Sequence, residues 1–288
     1  MENERLPDMD KKDVLREWRE SAPYWARHAD IVRAMFAPIT NAIIEAAAIK
    51  DGEVVLDVAG GSGEPSLTIA GGVGPSTLIV FTDAVGGMIE TTRAQALDRA
   101  LTNLEFVQAV AEALPFSTKR FDVVVCRLGV MLFPDPISAI NEMLRVVKPG
   151  GRIVTAVWGA KNSNPFFHVV ADIVSRYVVS PPEDPDAPGA FRFATSGKLA
   201  DLFRASAEAD VTERVLDFTL EAPITPMQFW QMRSELSDTL RTKVAGLSTD
   251  EVNRLAKEVE QAGQAFYEND RMRFPGEVLI VTGTSPRN

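Results

Sequence analysis

The residue types that could do chemistry are concentrated between positions 54 and 83. The run Val54-Val55-Leu56-Asp57-Val58 is β-branched and apolar, as a buried parallel strand is, and carries an acid at its end. Ala59, Gly60, Gly61, Ser62 and Gly63 follow, and Pro65 stands where a first helical turn tolerates a residue without an N–H. Glycines at such a turn fold the backbone tightly and let a ligand approach without meeting a Cβ, while the first N–H groups of the next helix stay unpaired. The spacing therefore predicts a cradle for a small molecule. A second acid, Asp83, closes the next apolar run at 77–83, where the crevice of a doubly wound sheet opens.

The ligand class follows from what is missing. A dinucleotide fingerprint is G-x-G-x-x-G, but from Gly61 the chain reads G-S-G-E-P-S, which lacks the third glycine and sets Glu64 where a pyrophosphate would lie. That counts against a nucleotide-dependent dehydrogenase, which stays as an alternative on a similar sheet. An acid closing the strand suits a ligand with a cationic end, such as the ammonium and sulfonium of S-adenosylmethionine.

On these residues the chain resembles the class I S-adenosylmethionine-dependent methyltransferases, of the small-molecule, ubiquinone/menaquinone-biosynthesis-like superfamily. Their first motif is D/E-x-G-x-G-x-G; Asp57, Gly61 and Gly63 match, and Ala59 replaces the first glycine. Two further marks follow: V-A-E-A-L-P-F at 110–116, where relatives carry D-A-E-x-L-P-F, and R-V-V-K-P-G-G-R-I at 145–153. The resemblance spans about residues 52–158. It implies an α/β fold with a doubly wound, seven-stranded, mostly parallel sheet, a final antiparallel hairpin, an N-terminal helical lid and a helical insertion before the last strand.

The resemblance also implies site roles. Asp57, Ala59, Gly60, Gly61 and Gly63 form the cofactor loop, and Asp83 takes the ribose hydroxyls. Ala84 and Met88 give apolar contact to the adenine. Val110 stands where relatives have the Asp that accepts from the adenine amino group, leaving that edge to the Ala111 backbone or to Glu112; Glu112 reads equally as a solvated acid at a helix start. Trp25 either walls off the methyl donor or anchors its helix. Arg127 is the one strongly polar residue at the tip of the 121–127 strand, and either pairs with an acidic substrate or cofactor carboxylate or makes a structural salt bridge to the lid.

Methyl transfer from a sulfonium is an in-line displacement with a good leaving group, so few catalytic side chains are expected beyond those that align the acceptor, exclude water and remove a proton. No catalytic residue is assigned. His28 and His168 are candidate bases because only histidine titrates near neutrality without a shift. Arg127, Tyr24, Tyr267, Arg271 and Arg273 are candidate pocket residues. The favoured acceptor is an O or N of a small, partly hydrophobic metabolite. A non-catalytic protein that binds S-adenosylmethionine or S-adenosylhomocysteine is the other alternative, kept open by Ala59 and Val110.

Among 288 residues the net charge is −10, which disfavours nucleic acid and anionic membrane surfaces as partners. A single cysteine excludes disulfides within the chain, and with only two histidines no metal site is expected. Residues 1–13 lack the apolar core of a secretory signal, and a cytoplasmic location is expected.

Periodicity positions these residues. A lid at 1–50 contains a helix at 12–29 that Pro23 interrupts and a second at 31–49. The cofactor core occupies 51–160, where strands at 104–109, 121–127 and 152–158 alternate with helices at 66–71 and 137–147. Lys148-Pro149-Gly150-Gly151 reads as a terminator and turn. Residues 161–288 complete the sheet: helices at 164–178 and 196–207, a Pro/Asp-rich loop at 180–190, strands at 211–220 and 277–283, and a helical substrate cover at about 226–269.

Overall fold

A computed structural model describes residues 11–180, 184–206 and 210–286. Parts of three sequence readings, the N-terminal 1–13 stretch, the 180–190 loop and the 196–207 helix, lie outside the described residues at 1–10, 181–183 and 207.

The chain opens with α1 (Lys11–Arg27), α2 (Ala29–Met35) and α3 (Ala37–Ala47). Strand and helix then alternate through β1 (Val54–Val58), α4 (Ser66–Gly72), β2 (Leu78–Asp83), α5 (Gly86–Asp98), β3 (Leu104–Gln108), β4 (Phe121–Arg127), α6 (Pro136–Val146) and β5 (Val147–Trp158). Next come α7 (Pro165–Val174), α8 (Lys198–Ser206), β6 (Asp210–Ala222), α9 (Pro226–Leu236), α10 (Asp238–Ala245), α11 (Thr249–Gly263), β7 (Tyr267–Glu268) and β8 (Arg271–Thr284).

The strand order is β3-β2-β1-β4-β5-β8-β6, with the two-residue β7 paired to β8. The first five strands are parallel, and β8 runs antiparallel between β5 and β6. The sheet is thus the mostly parallel, doubly wound one expected, with the short β7 added. Its central strands are apolar on both faces: Val55, Leu56, Ile79, Val80, Val123, Val124 and Val125 are all buried, as helices on both sides require. The order 2-1-4 places Asp57, Asp83 and Arg127 along one edge. No described helix is long and apolar enough to cross a membrane.

Three local expectations are corrected. The first helix runs through Pro23 to Arg27. Proline there removes one donor, to the Arg19 carbonyl, while Ala22 and Trp25 still pack on Val85 and Met88, and that packing keeps the helix whole. The expected 31–49 helix is split at Phe36, since Pro38 in the first turn of α3 cannot donate back to the preceding turn. The Lys148-Pro149-Gly150-Gly151 run lies inside β5 as an irregular stretch, not as a turn outside it. There Gly150 takes φ +73°, Gly150 N–H donates to the Ser285 carbonyl at 3.0 Å, and Ser285 N–H returns to Gly151 O at 3.0 Å. Lys148 Nζ donates to both oxygens of Asp122 at 2.8 Å, so contacts to neighbouring segments hold the run within the sheet.

Candidate active site

The loop after β1 is built by backbone conformations that side chains resist. Ala59 has φ +56°, Gly61 +57° and Gly63 +115°. A Cβ on Gly60 would lie 2.3 Å from the Phe81 ring and 2.8 Å from Asp57 Oδ2, so only glycine fits; a Cβ on Gly61 would meet nothing within 4 Å, so that face of the loop is open. Side chains from α5 hold the loop from behind. Thr92 Oγ1 donates to Gly61 O and Gln95 Nε2 to Ser62 O, each at 3.1 Å.

The two strand-end acids are both committed to backbone. Asp57 is 0% exposed, and its Oδ2 accepts from Ser66 N–H at 3.3 Å and Ser66 Oγ–H at 2.7 Å, capping α4. Its Oδ1 is buried with no hydrogen-bond partner. Burial pushes the carboxyl up to about 7, against the Ser66 hydroxyl and the Arg127 charge, which favour the ion. Asp83, 8% exposed, accepts Gly61 N–H at Oδ2 (2.9 Å) and Val85 N–H at Oδ1 (2.8 Å). Burial raises its pKa too, while the N–H groups of Val85, Gly61 and Ala84 oppose the rise.

Arg127 ends β4. Its Nη1 donates to Thr40 Oγ1 of α3 at 3.0 Å, its Cζ lies 5.9 Å from the Phe36 ring centre, and its Nε is buried without a partner. Burial lowers its pKa, and the Glu64 and Asp57 charges raise it. The contact to the N-terminal helices is therefore a hydroxyl hydrogen bond in place of the salt bridge considered from sequence. Glu64, whose charge argued against a pyrophosphate, is buried, accepts Thr68 N–H at 3.3 Å and lies 4.0 Å from Arg99 Nη1.

The other sequence-derived residues fall in two groups. Near the β2 tip, Met88 is buried with Ala22 and Val85 against Trp18 and Trp25, and the Trp25 Nε1 is buried and unpartnered. Gln108 Nε2 donates to the Ala84 carbonyl at 3.0 Å, a support the sequence reading missed. A cleft of about 470 Å³ runs beside this turn, between Ala22, Pro23 and Ala26 of α1 and Val85, Gly86 and Gly87. On the β3 side, Ala111 is buried, Glu112 Oε1 accepts Asp135 N–H at 3.4 Å, and Val110 is 36% exposed, unusual for valine.

Both histidines are engaged. His28 Nε2 is 2.7 Å from Glu235 Oε2, tying the α1–α2 junction to α9, and Arg27 Nη1 reaches the other oxygen at 3.1 Å. His168 Nδ1 is 3.5 Å from Asp172 one helical turn on. Arg241 lies over the Tyr24 ring at 4.9 Å. Tyr267, Arg271 and Arg273 belong to the β7–β8 hairpin, where both arginines pair with Glu221.

Comparison with known proteins bears on the family and the fold. Residues 38–180 match the ubiE/COQ5 methyltransferase family. Over that segment, just under half of its length, the chain is similar to this methyltransferase family. One relative, the ubiquinone/menaquinone biosynthesis C-methyltransferase UbiE of Hahella chejuensis, is 38% identical over 133 residues, covering 46% of this chain and 53% of the relative. The chain thus spans about half the length of that relative. Two solved structures share the fold. The YcgJ protein of Bacillus subtilis superposes with TM-score 0.57 at 18% identity, covering 86% of this chain and 98% of that one. A phosphoethanolamine N-methyltransferase of Haemonchus contortus, solved with S-adenosylhomocysteine, gives TM-score 0.58 at 14% identity, covering 95% and 59%.

The residues present fit the cofactor of this class. The glycine loop offers an open face at Gly61, and the unpartnered Asp57 Oδ1 gives a cationic end an acceptor that no protein group uses. S-adenosylmethionine supplies an activated methyl group. Around it this chain would place the hydrogen-bonded glycine loop and the two buried carboxylates of Asp57 and Asp83.

Proposed function

We propose that the protein transfers a methyl group from S-adenosylmethionine to a small, partly hydrophobic acceptor. The observation that carries this reading is the grip of Asp83 on Gly61, which joins the β2 acid to the glycine loop at 2.9 Å. Carboxylate oxygens have lone pairs beyond those the backbone uses, so Asp83 can accept ribose hydroxyls while holding the loop. Asp57 would face the cationic half, and Arg127 would balance the buried acids.

The acceptor atom is proposed to be carbon on an electron-rich ring, in place of the O or N expected from sequence. The C-methyltransferase name of the UbiE relative supports this. A ring ionised at a hydroxyl attacks the methyl group through carbon and then releases the proton of that carbon to water, so His28, held by Glu235 at 2.7 Å, is not required as a base at the nucleophile. The net charge of −10 supports a small molecule over nucleic acid or an anionic membrane as partner.

Calorimetry with S-adenosylhomocysteine and with NAD tests the cofactor, and transfer of a labelled methyl to metabolite extracts tests the reaction. Binding of S-adenosylhomocysteine with label recovered on carbon is the expected result. Binding without transfer would favour the non-catalytic alternative, and label on O or N would refute the carbon assignment.

A further inference from the structure

Arg233 is a buried cation with no ion pair among the described residues. Arg233 of α9 lies three residues after Trp230 and four after Phe229, on the helix face that packs inward, and is 9% exposed. Its Cζ is 4.5 Å from the ring centre of Phe166 and 4.9 Å from that of Phe167. Among the described residues its side chain has no hydrogen bond and no ion pair, and Nε is buried without a partner. Burial alone depresses its pKa to about 10, so the group is a cation at neutral pH. Two aromatic faces attract the charge but leave the in-plane Nε–H unsatisfied.

The surroundings lead from this cation to the strand tips. Phe166 lies 6.4 Å from Phe36, and Phe167 lies 4.9 Å from Trp158, the last residue of β5. Phe36 is 5.5 Å from Trp158 and carries Arg127 over its ring at 5.9 Å. Aromatic rings thus connect Arg233 to the strand edge that holds Asp57 and Asp83. Phe36, Trp158 and Phe166 are buried and Phe167 is the part-exposed ring, where a planar apolar body can stack, and a guanidinium fork matches a carboxylate with two parallel hydrogen bonds. Lone buried charges are strongly unfavourable, and an anionic ligand is the natural compensation.

We infer that Arg233 binds the carboxylate of an aromatic acid, and that the acceptor is therefore a flat, anionic molecule whose ring packs beside the part-exposed Phe167. This rests on the methyltransferase reading above for the site's use, and it identifies Arg233 as the residue that selects the acceptor.

The test uses the full chain with saturating S-adenosylhomocysteine, titrated calorimetrically with benzoate and cinnamate and with the neutral benzamide and cinnamamide. Each carboxylate is expected to bind at least tenfold more tightly than its amide. The preference should vanish in R233M and survive in part in R233K, with S-adenosylhomocysteine affinity and melting temperature in R233M no lower than in the wild type. Equal binding of acid and amide, no binding of either by the wild type, or a preference retained in R233M would overturn the inference. The wild-type comparison needs no variant to fold. If S-adenosylhomocysteine itself fails to bind while the acid preference holds, the methyltransferase reading falls and the anion site stands.

Discussion

Asp83 Oδ2 accepts the N–H of Gly61 at 2.9 Å, so the acid that ends β2 holds the loop that follows β1. One carboxylate thereby couples two adjacent strand tips. Its other oxygen takes Val85 N–H at 2.8 Å and fixes the start of α5, whose Thr92 and Gln95 return to the same loop.

Replacing Asp83 with alanine should therefore damage cofactor binding twice over, by removing the proposed ribose acceptor and by freeing Gly61. Each buried hydrogen bond lost to a charged group is worth about 1.5–3 kcal/mol. D83A is expected to weaken S-adenosylhomocysteine binding by at least tenfold in calorimetry while far-ultraviolet circular dichroism stays that of the wild type. Unchanged affinity would place the ribose elsewhere.

Asp57 gives a pH dependence of defined sign. Its carboxyl is moved from 3.8 in the unfolded chain to about 7 in the fold, with burial as the largest cause. Between those values the native state holds a proton that the unfolded state has released. Stability from this group is complete below pH 3.8 and is lost as pH rises toward about 7, by an amount on the order of a few kcal/mol. A cationic ligand favours the carboxylate, so its affinity should move the other way and increase as pH rises through 7. Urea midpoints between pH 5 and 8 and calorimetry in buffers of different ionisation enthalpy read the two effects. D57N should flatten both and should harm binding more than E112Q does. A wild-type affinity that stays constant across this range would exclude contact between Asp57 and the cationic end.

The sheet and the cradle were legible in the sequence because each rests on a local signal. Apolar runs of five to seven residues mark the buried strands, and acids with glycines mark their tips. Phe121–Arg127 is the strand at the very bounds the pattern assigns. Local reasoning failed where distant partners decide the outcome. Pro23 is tolerated because Ala22 and Trp25 on either side of it pack with Val85 and Met88, and the Lys148–Gly151 stretch is held in the sheet by Ser285 and Asp122. Arg233 was missed because its neighbours Phe166 and Phe167 come from another helix, although its spacing from Phe229 and Trp230 placed a cation on an apolar face. Likewise, nothing near His28 in the chain points to Glu235.

Ala59 tests the cost of the departure from the glycine motif. At φ +56° its methyl group crowds its own backbone, which glycine avoids. A59G should raise stability by about 1 kcal/mol despite the greater entropy of the unfolded glycine. That is a rise of a few degrees in melting temperature, with cofactor affinity equal to or above that of the wild type. A fall in melting temperature would mean that the Ala59 contacts outweigh the strain.

The His28–Glu235 pair separates a structural imidazole from a catalytic one. At 2.7 Å, with Arg27 on the second carboxylate oxygen, the pair joins the α1–α2 junction to α9, the helix that carries Arg233. If its work is to dock α9, then H28A and E235Q should act alike. Both would speed amide hydrogen exchange in α9 and raise the KM for the acceptor, with kcat falling by less than tenfold. A general base behaves differently: its loss typically costs about 10²- to 10⁴-fold in rate, and Glu235 would not share the effect equally. Exchange rates in α9 together with separate KM and kcat values for the two variants decide the matter, and a kcat collapse confined to H28A would restore His28 as the base.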